Sequence, residues 1–225
     1  MDTRSEGTMR SVRDHRVDPF AAYNPLRVRF ARGELILQTG SYAAGVYLVT
    51  SGLVLESFRD PMTAAADPVC AVCVPGDLLG LEILLPAGGE RYLACCRAVT
   101  DVCLSFLERH DFAAALDQDS TLRAFVRGAL VARRFAALRA LSRRRAPDNE
   151  RLRALLLELA AGCGEPDGED GRVLLRAIDR QLVAELAGMS PRRLKKAWTA
   201  MAGVETEAVG LRLAPALLRQ SSVEG

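Results

Sequence analysis

Apolar residues change their spacing twice along this chain. From Val28 to about Phe106 they come in short runs rich in Val, Leu and Tyr, interrupted at near-regular intervals by Gly33, Gly40, Gly45, Gly52, Pro75-Gly76 and Gly88-Gly89. Runs of that kind predict strands joined by tight reversals, and so an antiparallel β-barrel or jelly roll. From about Asp119 to Arg145 the step becomes three and four residues, through Leu122, Phe125, Val126, Ala129, Phe135, Leu138 and Leu141, which predicts one long amphipathic helix. The stretch holds a single acid, Asp119, and eight arginines, so its outer face is basic while its apolar stripe needs something to pack on. A matching helix from a second copy of the chain is an economical partner; the chain's own barrel is the alternative.

Ala146-Pro147 breaks that helix, and Asp148 can cap the next one, which carries Leu152, Leu155, Leu156 and Leu159 and ends near Gly162. Cys163 to Gly171, rich in Gly, Asp, Glu and Pro, reads as a solvated loop. The predicted organisation is α+β: a flexible arm over 1–24, a barrel over 25–118, a dimerisation helix over 119–145 and a C-terminal domain over 146–225.

Within that last domain, residues 178–201 read IDRQLVAELAGMSPRRLKKAWTAM. Asp179 can cap a first helix whose inner face is Leu182, Val183 and Leu186. Gly188 supplies the left-handed residue that a tight reversal requires, and Met189 can plug the angle between helices. Ser190 then caps a second helix, with Pro191 at its first position, where the missing N–H costs nothing. Leu194, Ala197, Trp198 and Met201 form its inward stripe, and Arg192, Arg193, Lys195, Lys196 and Thr199 face outward. Like charges at neighbouring positions weaken a free helix, so four cations in its N-terminal turns point to an anionic partner, and a recognition helix enters the major groove by those turns. Val204 to Leu213, with Gly210 inside it, is predicted to form a small β-hairpin wing.

Composition narrows the reading further. Of the 225 residues 49% are hydrophobic, enough for one large or two small cores, while the net charge is only +2, so any contact with nucleic acid has to come from a local patch. No run of eighteen apolar residues occurs and the first residues are polar, so neither a membrane span nor a signal peptide is expected, and the protein is expected in the cytoplasm. Cys70, Cys73, Cys95, Cys96, Cys103 and Cys163 sit mostly in apolar runs, as buried reduced thiols do. On a strand, Cys70 and Cys73 point to opposite faces, as do Cys95 and Cys96, so neither pair chelates a metal. His15 and His110 are the only histidines and form no ligand set. With no Ser-His-Asp set, paired acids or phosphate loop, an enzyme is not expected.

The barrel punctuation, long helix, hinge and helix-turn-helix together resemble the family of the cyclic-AMP receptor and the fumarate-nitrate regulator (CRP/FNR), over roughly residues 26–215. FARGELILQTGSYAAGVYLVTSG, from Phe30 to Gly52, looks like the family's opening barrel strands. Pro75-Gly76-Asp77-Leu78-Leu79-Gly80 looks like the entry to its nucleotide-binding turn, and IDRQLVAELAGMSPRRLKKAW aligns without gaps to its helix-turn-helix. The resemblance implies a homodimer that binds a pseudo-palindromic operator in double-stranded DNA and recruits RNA polymerase. It makes Arg180, Gln181, Ser190, Arg192, Arg193, Lys195 and Lys196 the candidate DNA-contacting residues. Ser190 falls at a phosphate-contacting position, and Pro191, Arg192 and Lys196 fall at base-reading ones, where the cyclic-AMP receptor carries Arg, Glu and Arg. Exchanging an acidic acceptor for Arg192 implies a different operator.

The same resemblance places a degenerate effector pocket at Gly80, Leu81, Glu82, Arg91, Tyr92, Leu138 and Arg139. Arg91 keeps the family's phosphate-binding cation. Leu81 stands in place of its Glu, Tyr92 in place of a small hydroxyl, and Leu138 and Arg139 in place of the adenine-contacting hydroxyls. Losing several buried polar contacts at about 1–2 kcal/mol each removes most affinity for cyclic AMP, so a regulator active without it, and with no cofactor, is expected. Arg91 and the amides near Gly80 leave a place for a different anion. The rival reading is a ligand- or thiol-sensing module that controls a protein partner.

Overall fold

The computed structural model describes residues 18–58, 69–85, 89–168 and 170–219. The first seventeen residues, with His15, and Gly88 of the predicted turn lie outside them.

Among the described residues eight short strands build the barrel: β1 (Leu26–Phe30), β2 (Leu35–Leu37), β3 (Gly45–Ser51), β4 (Val54–Phe58), β5 (Val69–Cys73), β6 (Leu78–Leu79), β7 (Ala94–Ala98) and β8 (Val102–Glu108). They pair antiparallel as two sheets, β1-β8-β3-β6 and β2-β7-β4-β5, the jelly-roll arrangement that the glycine spacing predicts. Gly45 and Gly52 explain why glycine recurs. A Cβ at Gly45 would lie 2.0 Å from the Leu107 carbonyl, and Gly52 adopts a left-handed φ of 83° while sitting on Asp101. Leu37, Val49, Val54, Leu79, Cys96, Ala98 and Leu104 fill the space between the sheets.

Two findings correct the sequence reading of this half. Residues 18–24 are docked: Phe20 is fully buried against the Phe112 ring, the Asp18 carboxylate pairs with Arg27 and accepts from Ser105, and the Tyr23 hydroxyl donates to Asp119. A helix not foreseen, α1 (Arg109–Gln118), follows β8 directly and buries Phe112 and Ala115.

The long helix is α2 (Ser120–Arg145), opened by Asp119, whose side chain accepts from the amides of Thr121 and Leu122. Its apolar stripe divides. Leu122 and Val126 are buried on the barrel beside Phe20 and Leu107, whereas Leu130, Val131, Phe135, Leu138 and Leu141 are 43–55% exposed.

After the break at Ala146 and Pro147 comes α3 (Asp148–Cys163). Asp148 is its first residue, not its cap; Pro147 holds the cap position without a side-chain bond, and Asp148 is engaged elsewhere. The segment read as a loop instead supplies β9 (Glu165–Asp167) before β10 (Arg172–Arg176). Then come α4 (Arg180–Ala187), α5 (Pro191–Thr199), β11 (Val204–Glu207), β12 (Gly210–Leu213) and α6 (Pro215–Arg219). β11 and β12 form the wing hairpin and extend the sheet β11-β12-β10-β9.

This C-terminal unit is docked on the barrel. One apolar cluster runs from Leu55, Cys70 and Val99 on the outer barrel surface to Leu182, Val183 and Leu186 of α4, with Arg97 and Glu185 paired at 3.4 Å beside it. At the hinge the buried Arg151 donates to the carbonyls of Arg143, Arg144 and Ala146 at the end of α2 and of Ala187 at the end of α4. A cation is favoured where helix dipoles end, so one side chain holds three helices in register. Among the described residues no helix is long and apolar enough to cross a membrane.

Candidate functional site

The helix-turn-helix is built as its local chemistry dictates. The Asp179 carboxylate accepts from the Leu182 amide at 2.8 Å, and Gly188 ends α4 at φ 59°, ψ 45°. Met189 is buried in the elbow, and the Ser190 hydroxyl accepts from the Arg193 amide ahead of Pro191. Leu194, Ala197 and Trp198 are buried, so α5 turns a polar face outward that carries Arg192, Arg193, Lys195, Lys196 and Thr199.

The candidate DNA-contacting residues fall into two groups. Ser190, Arg192, Lys195 and Lys196, with Gln181 on α4, lie exposed. Among the described residues the side chains of Arg192, Lys195 and Lys196 make no hydrogen bond or ion pair. The other two are already held by the chain. Arg180 stacks its guanidinium 4.8 Å over the Trp198 ring and donates to Thr206 of the wing. Arg193 grips Asp148 through two bonds, of 3.0 and 2.5 Å. The wing is acidic, since Glu205 and Glu207 surround Arg212 together with Asp167.

The barrel interior is a different kind of place. Gly80 is left-handed, and a Cβ there would come within 2.8 Å of both the Gly45 carbonyl and the Tyr92 ring. Tyr92 is 3% exposed; its hydroxyl donates to the Gly45 carbonyl at 2.9 Å and accepts from the Gly45 amide at 3.2 Å. Burial pushes that phenol up to about 12, so it stays a neutral plug between β3 and Gly80. Leu81 is buried, and the Glu82 carboxylate, in the 3-10 turn Leu81–Leu84, accepts from the amides of Leu93 and Ala94.

Three pocket expectations need correction. Arg91 does not face the interior; it is exposed and donates to the Gly40 carbonyl at 2.6 Å, because its neighbour Tyr92 takes the inward side of the chain. Leu138 is half exposed, and Arg139 lies toward Glu158 of α3 at 3.8 Å. From α2 it is Arg133 that brings a charge to the barrel: it pairs with Glu56 on β4, donates to the Leu78 carbonyl at 2.7 Å and lies 3.8 Å from the Cys73 sulfur. Nothing in the sequence separates Arg133 from the other arginines of α2. The only available signal is an unpartnered inward acid at Glu56 on a predicted strand.

The cysteines occupy the faces that strand geometry assigns. Cys73 and Cys96 point into the barrel core, and Cys70 joins the cluster beneath α4. Burial pushes the Cys73 and Cys96 thiols far above their ordinary value, which removes the thiolate that redox or alkylation chemistry needs. Among the described residues no group of His, Cys, Asp or Glu is placed to hold a metal ion.

Residues 27–119 match the cyclic nucleotide-binding domain. No curated protein matches the chain in sequence. Solved structures do match in shape. The CRP/FNR-family transcriptional regulator TTHA1359 from Thermus thermophilus is 22% identical, with 89% of this chain and 100% of that one covered at a TM-score of 0.66. FixK2 from Bradyrhizobium japonicum is 16% identical, with 89% and 98% covered at 0.71. The c-di-GMP-responsive global regulator CLP from Xanthomonas campestris is 19% identical, with 85% and 95% covered at 0.67. The chain thus carries a cyclic nucleotide-binding domain at residues 27–119 and, over most of its length, has the fold of the CRP/FNR-family transcription regulators.

Proposed function

We propose that this protein is a sequence-specific DNA-binding transcription regulator, not an enzyme, that works in the cytoplasm as a homodimer and needs no cyclic AMP. The observation that carries the reading is the outward face of α5, where Arg192, Lys195 and Lys196 stand exposed and unpaired at the start of a helix presented by a capped turn. Unpaired cations on a rigid helix of this size fit the major groove, with phosphates satisfying some and base edges the rest.

The open part of α2 supports the dimer. Leu130, Val131, Phe135, Leu138 and Leu141 span about 17 Å at 1.5 Å per residue, and two copies of the stripe related by a two-fold axis cover each other. A two-fold axis also gives two recognition helices, hence a pseudo-palindromic operator. Activation through RNA polymerase rests on the family resemblance.

Independence of cyclic AMP is supported by the way the barrel satisfies its own polar groups. Tyr92 occupies the space beside Gly80, Arg133 neutralises Glu56, and Arg91 is held by the Gly40 carbonyl. Fluorescence anisotropy on promoter fragments over a salt series, with and without cyclic AMP, tests the reading. Salt-sensitive specific binding without the nucleotide is expected, with the Arg192→Ala/Lys196→Ala double variant weaker by about a hundredfold or more. Binding that appears only with cyclic AMP overturns the effector statement, and a double variant that binds as the wild type does overturns the interface.

A further inference from the structure

α5 carries four cations in its first two turns, and one of them is paired within the chain. Arg193 is turned back by a fork of two bonds onto the Asp148 carboxylate, with Nε on one oxygen at 3.0 Å and Nη2 on the other at 2.5 Å. A bidentate guanidinium-carboxylate pair has the geometry that makes such contacts strong and directional. Asp148 is free to serve because Pro147, not Asp148, takes the cap position of α3. The pair is also well supported. Leu152, Leu155, Leu194 and Trp198 lie together in the same buried cluster, which fixes the first turn of α3 against α5. Neither partner is buried, the side chains of Arg193 and Asp148 being 52% and 31% exposed, so the pair is open to solvent and to an anion that would compete for the guanidinium.

Resting on the DNA-binding reading above, we propose that Asp148 is a positioning residue that withholds Arg193 from DNA and leaves Arg192, Lys195 and Lys196 as the contacting cations. Held by Asp148, Arg193 adds almost nothing to the counterion release that drives binding. A recognition helix restrained in this way binds more weakly than its cation count suggests, and so discriminates more, because the sequence-independent part of affinity is reduced.

Asp148→Asn, Arg193→Ala, their combination and Arg192→Ala are measured by anisotropy over a salt series, on the promoter fragment bound by the wild type and on an unrelated duplex. Near-ultraviolet circular dichroism checks that each variant is folded. Asp148→Asn is expected to tighten binding to the unrelated duplex by about three- to tenfold and steepen the salt slope by about one charge. Arg193→Ala alone is expected to change affinity by less than about twofold, while Arg192→Ala loses about tenfold or more. In the combination the gain from Asp148→Asn is expected to vanish. A gain that survives Arg193→Ala, or an Arg193→Ala loss as large as that of Arg192→Ala, overturns the proposal while leaving the DNA-binding reading standing. If Arg192→Ala loses nothing, the DNA-binding reading itself fails, and this proposal with it.

Discussion

Inside the barrel and at its rim, charged and polar side chains are matched by the chain itself: Arg133 with Glu56, Glu82 with two amides, Tyr92 with Gly45, Arg91 with a carbonyl. On α5, Arg192, Lys195 and Lys196 have no hydrogen-bond or ion-pair partner among the described residues. A buried polar group must find a partner or cost free energy, so a pocket that has ceased to receive a ligand is expected to satisfy its groups internally. An exposed cation carries no such penalty and can wait for a partner from outside. On the function proposed above, the difference is that between a domain serving as scaffold and a helix serving as an interface, on one chain.

The largest expected effect strikes the plug. Tyr92→Ala removes a buried ring and two hydrogen bonds to Gly45, and is expected to cost about 3–5 kcal/mol in urea denaturation. Calorimetric titration with cyclic AMP should still show no binding, because Arg91 remains turned outward onto the Gly40 carbonyl. Nucleotide binding by this variant would mean that the barrel is blocked by one side chain rather than rebuilt, and the contrast with α5 would lose its basis.

The ion pair comes next. Glu56→Leu leaves Arg133 without its counter-charge in the barrel, a loss of about 2 kcal/mol once the 32% exposure of the Arg133 side chain is allowed for. Glu56→Leu/Arg133→Leu is expected to recover most of it, since an apolar pair of similar volume avoids the desolvation of both charges. A double variant as unstable as the single one would show that Arg133 contributes by packing α2 on the barrel and not as the partner of Glu56.

How readily each site can be read from sequence follows the same division. The helix-turn-helix is legible because each local choice agrees: Asp179 as cap, Gly188 in the left-handed turn, Ser190-Pro191 as the second start, Leu194 and Trp198 inward. The barrel strands are legible from glycine spacing. The pocket is not, because it depends on which of two neighbours faces in, Arg91 or Tyr92, and on which arginine of a uniformly basic α2 meets Glu56; both are decided by tertiary register. β9 escapes because Glu165-Pro166-Asp167 is short and polar and pairs only once β10 is beside it, and α1 because no turn residue separates it from β8. Phe20 reads as part of a flexible arm because one aromatic has no periodicity to betray its burial.

A smaller effect tests the turn that displays the cations. Ser190→Ala deprives the Arg193 amide of its acceptor, and about 1 kcal/mol of stability should go with it. DNA affinity is expected to fall by more than Ala substitution at exposed Gln181 causes, because loss of the cap frays the turn carrying Arg192. Equal losses would place α4, rather than the start of α5, at the centre of the interface.

The smallest effect lies at the junction between barrel and α2, where the chain satisfies a charge with its own donors. Asp119 accepts from the Tyr23 hydroxyl at 2.8 Å and from the Leu122 and Thr121 amides. The hydroxyl first and the amides after it hold its carboxyl below the ordinary 3.8. A carboxyl that is more acidic folded than unfolded binds fewer protons in the native state. Its contribution to stability is therefore fully present above pH 3.8 and is lost as the pH falls below that, through the lowered folded value. Asn at this position keeps an acceptor for the helix amides but cannot titrate. Asp119→Asn is accordingly expected to flatten the fall of melting temperature below about pH 4 relative to the wild type. Tyr23→Phe should flatten it in part, since the hydroxyl is the leading cause of the shift. Parallel melting curves for wild type and Asp119→Asn in acid would mean that this half-buried carboxyl gains no more from its partners than from water, and that self-satisfaction of charge is confined to the barrel interior.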